Sequence, residues 1–304
     1  MLSQLPEKHI LASFPGYEHS AREISAMLGI QLIQLEIRHF PDGESYIRFP
    51  TDLNGRYLWI YGSLFPANDR IIELMLICKT AREMGAETIS IITPYLPYMR
   101  QDIRFQSGEV ITASIMQQFI SRRIDELICI EPHLHRITDL NDLYKGKARV
   151  LRATGIVTDW IKRNVPDPVL IGPDSESKPW VSAMADKLGC PYVVLAKMRQ
   201  GDFSVSIDPR GLELAGTRQP ILVDDILSTG RTMKQAASTI YNQTGRKVIC
   251  IGIHAIFAGD AERILHDDAI LRVVTTNSIP HETNEISIDA MVASVLKSEI
   301  QRSI

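Results

Sequence analysis

Residues 221–233 read ILVDDILSTGRTM, and the order of residue types in them decides the class of fold. An apolar run, Ile221 to Val223, ends in two adjacent carboxylates, Asp224 and Asp225. Ser228-Thr229-Gly230-Arg231-Thr232 then opens a helix. A β-branched run that passes through a glycine-bearing turn into a helix is the repeating unit of a parallel α/β sheet. At the helix start the first backbone N–H groups lack intrahelical partners, glycine permits close approach, and three hydroxyls add donors. Together they make a cradle for a phosphate. Two aspartates beside a phosphate would repel it, so they imply a further partner: vicinal hydroxyls that need acceptors, or a metal ion. A sugar phosphate meets both demands. A strand, a turn and an N-cap account for a lone Ser or Thr, but not for the acidic pair, the glycine and the hydroxyls together.

The same rhythm extends in both directions. Upstream, HILASF, YLWIYGSL, TISIITPY and ELICIEP read as strands, with helices between them and a hairpin where IQLIQLEIRHF and ESYIRF flank Pro41-Asp42-Gly43. Downstream of Lys145-Gly146-Lys147 the alternation restarts with PVLIGPD, YVVLAK, FSVSI, PILVDD, KVICIGIHAIF and LRVVTT, and a last helix carries Met291, Val292, Val295 and Leu296. Strands that alternate with helices imply parallel sheets covered on both faces. The expectation is an α/β protein of two doubly wound parallel-sheet domains, one over 1–147 with the C-terminal 286–304, the other over 148–285. Ligands of such sheets gather at the carboxyl ends of strands, so those loops hold the candidate residues.

Composition agrees and removes several classes. The 304 residues carry a net charge of −3, with 45% apolar and 23% charged residues, a globular balance that suits two domains. A pI near 6.3 supplies no general positive field for nucleic acid. Cys78, Cys129, Cys190 and Cys250 are far apart, in or beside apolar runs, and show neither zinc spacing nor a disulfide framework. No apolar run reaches the roughly 18 residues of a membrane span, and the first residues lack a signal-peptide pattern. The reading is a cytoplasmic protein with no nucleic-acid partner and no membrane.

The segment at 221–233 closely resembles the ribose-5-phosphate loop of phosphoribosyltransferases and of ribose-phosphate diphosphokinases, the phosphoribosyl pyrophosphate (PRPP) synthetases. Further segments, in order along the chain, resemble the synthetases. HFPDGESYIRF looks like the family's hairpin that reaches the adenine of a neighbouring subunit, with Phe40, Asp42 and Glu44 in the matching positions. YMRQDIRFQSGEVITA resembles the Arg-Gln-Asp segment: Arg100 and Arg104 suit polyphosphate oxygens, and Gln101 and Asp102 contact adenosine or position those arginines. ICIEPHLHR resembles the family's Asp-x-His, with His133 at the position linked to magnesium and ATP, although Glu131 stands where the family has Asp. LIGPDSESKPW places Asp174 as the family places its metal-linked aspartate, but Ser175-Glu176-Ser177 and Trp180 depart from the small residues usual there. VVLAKMRQGDFSVSI carries Lys197 and Arg199 in the Lys-x-Arg spacing of the catalytic loop, and the loop is short, of the archaeal type.

The resemblance implies the phosphoribosyltransferase-type fold in both domains. It implies a magnesium-dependent enzyme that moves the β,γ-diphosphoryl group of ATP onto the anomeric hydroxyl of ribose 5-phosphate, giving PRPP and AMP. Lys197 and Arg199 would be catalytic. Phe40, Asp42, Glu44, Arg100, Gln101, Asp102, Arg104 and His133 would bind ATP. Asp224, Asp225, Ser228, Thr229, Gly230, Arg231 and Thr232 would bind ribose 5-phosphate, and His133 and Asp174 would serve the magnesium. It also implies a homo-oligomer, at least a dimer. Two other readings share part of the pattern: a phosphoribosyltransferase, which needs no adenine segment, and a synthetase-associated regulatory protein that has lost turnover.

Overall fold

The computed structural model describes residues 5–144, 146–200, 204–208 and 211–302, the side chains of 5–6, 196–200, 204–208 and 214 excepted. The chain divides into two compact units, Met1–Leu151 with Ile288–Ile304, and Arg152–Ser287.

The first unit runs α1 (Leu5–Lys8), β1 (His9–Ser13), α2 (Glu18–Leu28), β2 (Gln31–Gln34), β3 (Glu36–His39), β4 (Ser45–Arg48), β5 (Tyr57–Tyr61), α3 (Ala67–Glu83), β6 (Thr88–Thr93), α4 (Thr112–Ser121), β7 (Glu126–Ile130) and β8 (Lys147–Leu151). Its sheet has the order β2-β1-β5-β6-β7-β8, all parallel. Every residue of β1 and of β7 is buried. Their apolar residues run without the alternation of a one-sided sheet, with buried His9, Ser13 and Glu126 at the strand ends.

The second unit runs α5 (Thr154–Asn164), β9 (Pro168–Gly172), α6 (Lys178–Leu188), β10 (Tyr192–Val194), β11 (Ala196–Gln200), β12 (Ser204–Asp208), β13 (Gln219–Leu227), α7 (Arg231–Thr244), β14 (Val248–Ala255), α8 (Ala261–Leu265), β15 (Ile270–Thr276) and β16 (Asn284–Ile286). Its sheet order is β10-β9-β13-β14-β15-β16, again all parallel. Leu222, Leu227, Met233, Ala236, Ala237, Ile240 and Cys250 form the centre of its core. Helix α9 (Asp289–Arg302) closes the chain and packs on α2 in the first unit.

The two sheets follow one plan. In each, the first strand lies second in order, the next strand takes the edge, an antiparallel hairpin follows, and the chain returns on the other side of the first strand. The hairpins β3–β4 and β11–β12 are therefore topological counterparts. The architecture is duplicated although the sequence is not.

Two elements differ from the sequence reading. IQLIQLEIRHF is not one strand: β2 joins the large sheet, Leu35 turns into the core at 6% exposure, and β3 leaves to pair with β4. A continuous apolar pattern hides this break because Ile33, Leu35 and Ile37 keep one alternation through it. The second sheet also continues past LRVVTT with β16, a three-residue edge strand.

Candidate active site

The strand order of the second unit explains why its chemistry collects where it does. From β9 the chain moves to one side to form β10, then returns on the other side as β13. The gap between the ends of β9 and β13 is a topological switch point, where diverging connections leave room for a ligand. Asp174 follows β9, and Asp224 and Asp225 lie within β13, next to it. The Asp225 N–H donates to Asp224 Oδ1 at 3.0 Å. Burial, then the charges of Asp225 and Asp174, push the Asp224 carboxyl well above its ordinary range. Three acidic side chains thus converge, an arrangement that a bound cation or sugar hydroxyls relieve. Asp174 also organises its own turn. Its Oδ1 accepts from the Glu176 N–H at 3.1 Å, and its carbonyl accepts from Ser177 Oγ at 2.6 Å. Ser177 Oγ lies only 2.0 Å from where a Cβ on Gly172 would be, so glycine there lets the turn close.

The cradle begins at Leu227, where β13 ends. Gly230 has φ +71° and precedes α7, a left-handed conformation that costs glycine little and other residues about 1 kcal/mol or more. A Cβ there would also meet Leu265 Cγ at 2.9 Å and the Ala261 carbonyl at 3.3 Å. Thr229, Arg231 and Thr232 are exposed and Ser228 is half-buried. From behind, the Ile256 and Phe257 N–H groups donate to the Leu227 carbonyl at 3.1 and 3.0 Å, and Ala258 donates to the Ser228 carbonyl at 3.0 Å. A Cβ on Gly252 would fall 2.3 Å from Leu227 Cγ, so that glycine makes room for the last side chain of β13. These supports were not among the sequence expectations, because each depends on contacts across neighbouring strands.

In the first unit the corresponding switch point, between β1 and β5, is filled by its own side chains. Phe14 and Tyr17 are buried there, and both lie within 3.2 Å of where a Cβ on Gly62 would be. The Arg70 guanidinium lies 5.2 Å from the Phe14 ring and donates to the Pro15 carbonyl. The candidate nucleotide residues sit instead in the loops after β6 and β7 and on the hairpin.

Asp102 and Arg136 join those two loops. The Asp102 side chain is 1% exposed, and Arg136 donates to it from Nη1 at 2.9 Å and from its backbone N–H at 3.2 Å. Asp102 thus positions the loop that carries Arg100 and Gln101. Arg136 was not among the sequence candidates: nothing local links residues 34 apart. The Gln101 carbonyl accepts from the Ala113 N–H at 3.2 Å, and Arg104 Nε donates to the Glu109 carbonyl at 2.8 Å. Arg100 and Arg104 are exposed, and His133 stacks on His135 with ring centres 6.2 Å apart.

The hairpin tip is closed by Phe40 and Glu44: the Phe40 N–H donates to the Glu44 carbonyl at 2.8 Å, and Asp42 Oδ1 accepts from the Glu44 N–H at 3.2 Å. Phe40 is 41% exposed. Its ring meets Tyr46 edge-on at 6.2 Å, and the Arg38 guanidinium lies 4.0 Å from Tyr46 and 5.0 Å from Phe40. This gives an aromatic platform backed by a cation. His39 Nε2 ties the hairpin to α3 through the buried Glu73, at 3.3 Å.

Lys197 and Arg199 occupy β11, opposite Ile207 and Val205 of β12; their side chains lie outside the described residues. Among the described residues no group of three or more His, Cys, Asp or Glu is arranged to hold a metal ion by itself. His133 and Asp174 belong to different units.

Comparison with known proteins finds relatives matched along most of the chain. Residues 10–123 match the model described as the N-terminal domain of ribose phosphate pyrophosphokinase, and residues 139–291 match the phosphoribosyl transferase domain. The chain is 33% identical to a ribose-phosphate pyrophosphokinase of Sulfolobus acidocaldarius over 279 residues, 90% of this chain and 94% of that one. A protein of the same name from Thermococcus kodakarensis is 30% identical over 273 residues, 89% and 94% of the two chains. A crystal structure of phosphoribosylpyrophosphate synthetase from Mycobacterium smegmatis has the same fold, with a TM-score of 0.85 over 97% of this chain and all of that one, at 21% identity.

Proposed function

The chain belongs to the ribose-phosphate pyrophosphokinase family, and from that premise we infer its reaction: it transfers the β,γ-diphosphoryl group of ATP to the anomeric hydroxyl of ribose 5-phosphate, giving PRPP and AMP. The observation that carries the reading on the substrate side is the acidic pair Asp224–Asp225 beside a glycine-opened helix at the switch point of the second sheet. Half-buried carboxylates against a phosphate cradle suit a sugar phosphate, whose hydroxyls they would accept from. The alternatives, a phosphoribosyltransferase or an inactive associate, are not favoured: relatives matched along most of the chain are named pyrophosphokinases.

In this reading the 5-phosphate lies on the N–H groups and hydroxyls of Ser228–Thr232, and Asp224 and Asp225 accept from the ribose hydroxyls. The anomeric oxygen attacks the β-phosphorus in line. A bond forms from that oxygen to phosphorus, the bond from phosphorus to the α-bridging oxygen breaks with its electron pair leaving on AMP, and the hydroxyl proton passes to solvent. Arg100 and Arg104 hold phosphate oxygens, and Phe40 with Glu44 receives the adenine. Lys197 and Arg199 meet the charge that develops on the transferring group. Asp224, Asp225 and Asp174 would offer hard carboxylate oxygens, and His133 an imidazole, to magnesium carried in on the substrate phosphates, since among the described residues no three such groups are arranged to hold a metal by themselves. When bound, the ion neutralises phosphate charge.

We place the enzyme in the cytoplasm as a homo-oligomer, at least a dimer. No helix among the described residues is long and apolar enough to cross a membrane. The direct experiment supplies ATP, magnesium and ribose 5-phosphate and follows the products by phosphorus NMR. The expected result is PRPP and AMP in equal amounts. Formation of ADP, or no turnover by the folded protein, would remove the reading.

A further inference from the structure

The loop after β14 and the short helix α8 both touch the sugar-phosphate cradle from behind, and one residue grips both. His281, in the β15–β16 connection, is 17% exposed. Its ring packs on Phe257 with centres 4.3 Å apart. Its Nδ1 accepts from the Thr283 N–H at 3.3 Å and lies 3.0 Å from Thr283 Oγ1. That fixes the hydrogen on Nε2, which faces Glu262 Oε1 of α8 at 3.1 Å.

Each gripped element continues into the cradle. Phe257 has φ +40°, a conformation that a bulky residue holds only where its surroundings enforce it. Its N–H donates to the Leu227 carbonyl, and the next residue, Ala258, donates to the Ser228 carbonyl. Helix α8 sets Leu265 and the Ala261 carbonyl against Gly230. The strained turn and α8 therefore share one brace outside the cradle.

We propose that His281 is a positioning residue for ribose 5-phosphate: through Phe257 and Glu262 it holds Ser228 and Gly230 where their N–H groups and the Ser228 hydroxyl meet the phosphate. The inference rests on the reaction proposed above and adds a residue that touches no substrate. Its signature is a change in sugar-phosphate affinity without a change in the chemical step or in nucleotide affinity.

The test compares steady-state kinetics of the full-length wild type with His281→Ala, Glu262→Ala and Glu262→Gln. Loss of the ring with all its contacts is expected to raise KM for ribose 5-phosphate by about tenfold in His281→Ala, and loss of the one hydrogen bond to α8 by about threefold in Glu262→Ala. In both, kcat and KM for ATP stay within about twofold of wild type, the pattern of lost ground-state positioning. Glu262→Gln keeps an acceptor for Nε2–H and returns to the wild-type value. Glu262 is exposed, so the pair at that position decides the matter even if His281→Ala does not fold. An unchanged ribose 5-phosphate KM in Glu262→Ala and in folded His281→Ala overturns the proposal, as does an equal rise in both substrates' KM values. Wild-type protein that makes no PRPP would instead overturn the reaction on which the inference stands.

Discussion

The carboxylate of Glu299, in the last helix, pairs with the guanidinium of Arg149 in β8, 150 residues earlier in the chain. Lys147 joins the same carboxylate and also Glu126 of β7, at 3.0 Å. Glu299 and Glu126 are both buried, at 6% and 7%. Although burial raises the Glu299 carboxyl, the cations of Lys147 and Arg149 hold it below its ordinary range. The end of the chain is thus fastened to the edge of the first sheet. The two carboxylates are buried, whereas Lys147 and Arg149 reach solvent at 50% and 25% side-chain exposure. Glu299→Ala is expected to cost about 1 kcal/mol of stability, because the cations it leaves, Lys147 and Arg149, are partly exposed and water compensates them, read as a lower urea midpoint, while Glu299→Gln costs less. A midpoint unchanged in Glu299→Ala would show that the cluster contributes nothing net.

Lys197→Ala should lower turnover by at least roughly a hundredfold, because a cation directed at developing charge acts on the transition state rather than on the ground state. Calorimetric affinity for ribose 5-phosphate should stay near the wild-type value. Near-normal turnover would take Lys197 out of the mechanism.

The raised carboxyl of Asp224 has a consequence for stability. Its ordinary value is 3.8, and the folded protein holds it well above that through burial and then through Asp225 and Asp174. As pH rises above 3.8 the unfolded chain releases this proton first, so the contribution of Asp224 to stability is lost as pH climbs through the folded value. Thermal unfolding from pH 4.5 upward should show a steeper decline for wild type than for Asp224→Asn. Added magnesium should narrow the difference. Parallel profiles without magnesium would contradict the crowding of the three carboxylates.

His9 behaves in the opposite sense. Trp59 Nε1 donates to its Nδ1 at 3.0 Å, and burial lowers its pKa from 6.5 to about 4. The unfolded chain takes up this proton first as pH falls, so stability is lost from pH 6.5 towards pH 4, by about 3 kcal/mol across the window. His9→Gln keeps an acceptor for Trp59 but does not titrate. Urea unfolding at pH 7 and pH 4.5, followed by tryptophan fluorescence, should show the substitution flattening the acid loss.

Assembly is tested by complementation. If the Phe40 hairpin serves the site of a neighbouring subunit, Phe40→Ala and Lys197→Ala are each inactive alone. Mixing them with subunit exchange then restores up to about a quarter of wild-type sites in random dimers, because only one of the two sites in a mixed dimer is intact. Absence of recovery after exchange has been demonstrated by mass would exclude a shared site, and a fully active monomer by light scattering would do the same.

How much could be read from the sequence depended on how local the cause was. The strand, turn and helix of β13 and α7 were legible because one continuous stretch carries them, with the acidic pair five residues before Gly230. The break at Leu35 was not, because β2 and β3 differ only in which partner strand receives them. Strand β16 was invisible in Asn284-Glu285-Ile286, which pairs along an edge and needs little apolar character. Arg136 was missed for a different reason. Its carboxylate partner, Asp102, comes from the preceding strand-end loop, and only the adjacency of β6 and β7 brings the two together.

Gly252 gives the molecule a point of fragility unconnected with any reacting group. It lies in the middle of a fully buried strand, opposite Asp224, and leaves Leu227 the space that one methyl group would take. A single-nucleotide lesion to alanine or valine would shift the end of β13, and with it the carbonyl that anchors the turn at Phe257. In a genetic screen for loss of nucleotide synthesis such an allele would be scored as a substrate-binding mutant. Its suppressors should then be sought among smaller side chains at Leu227 rather than among residues that touch the sugar.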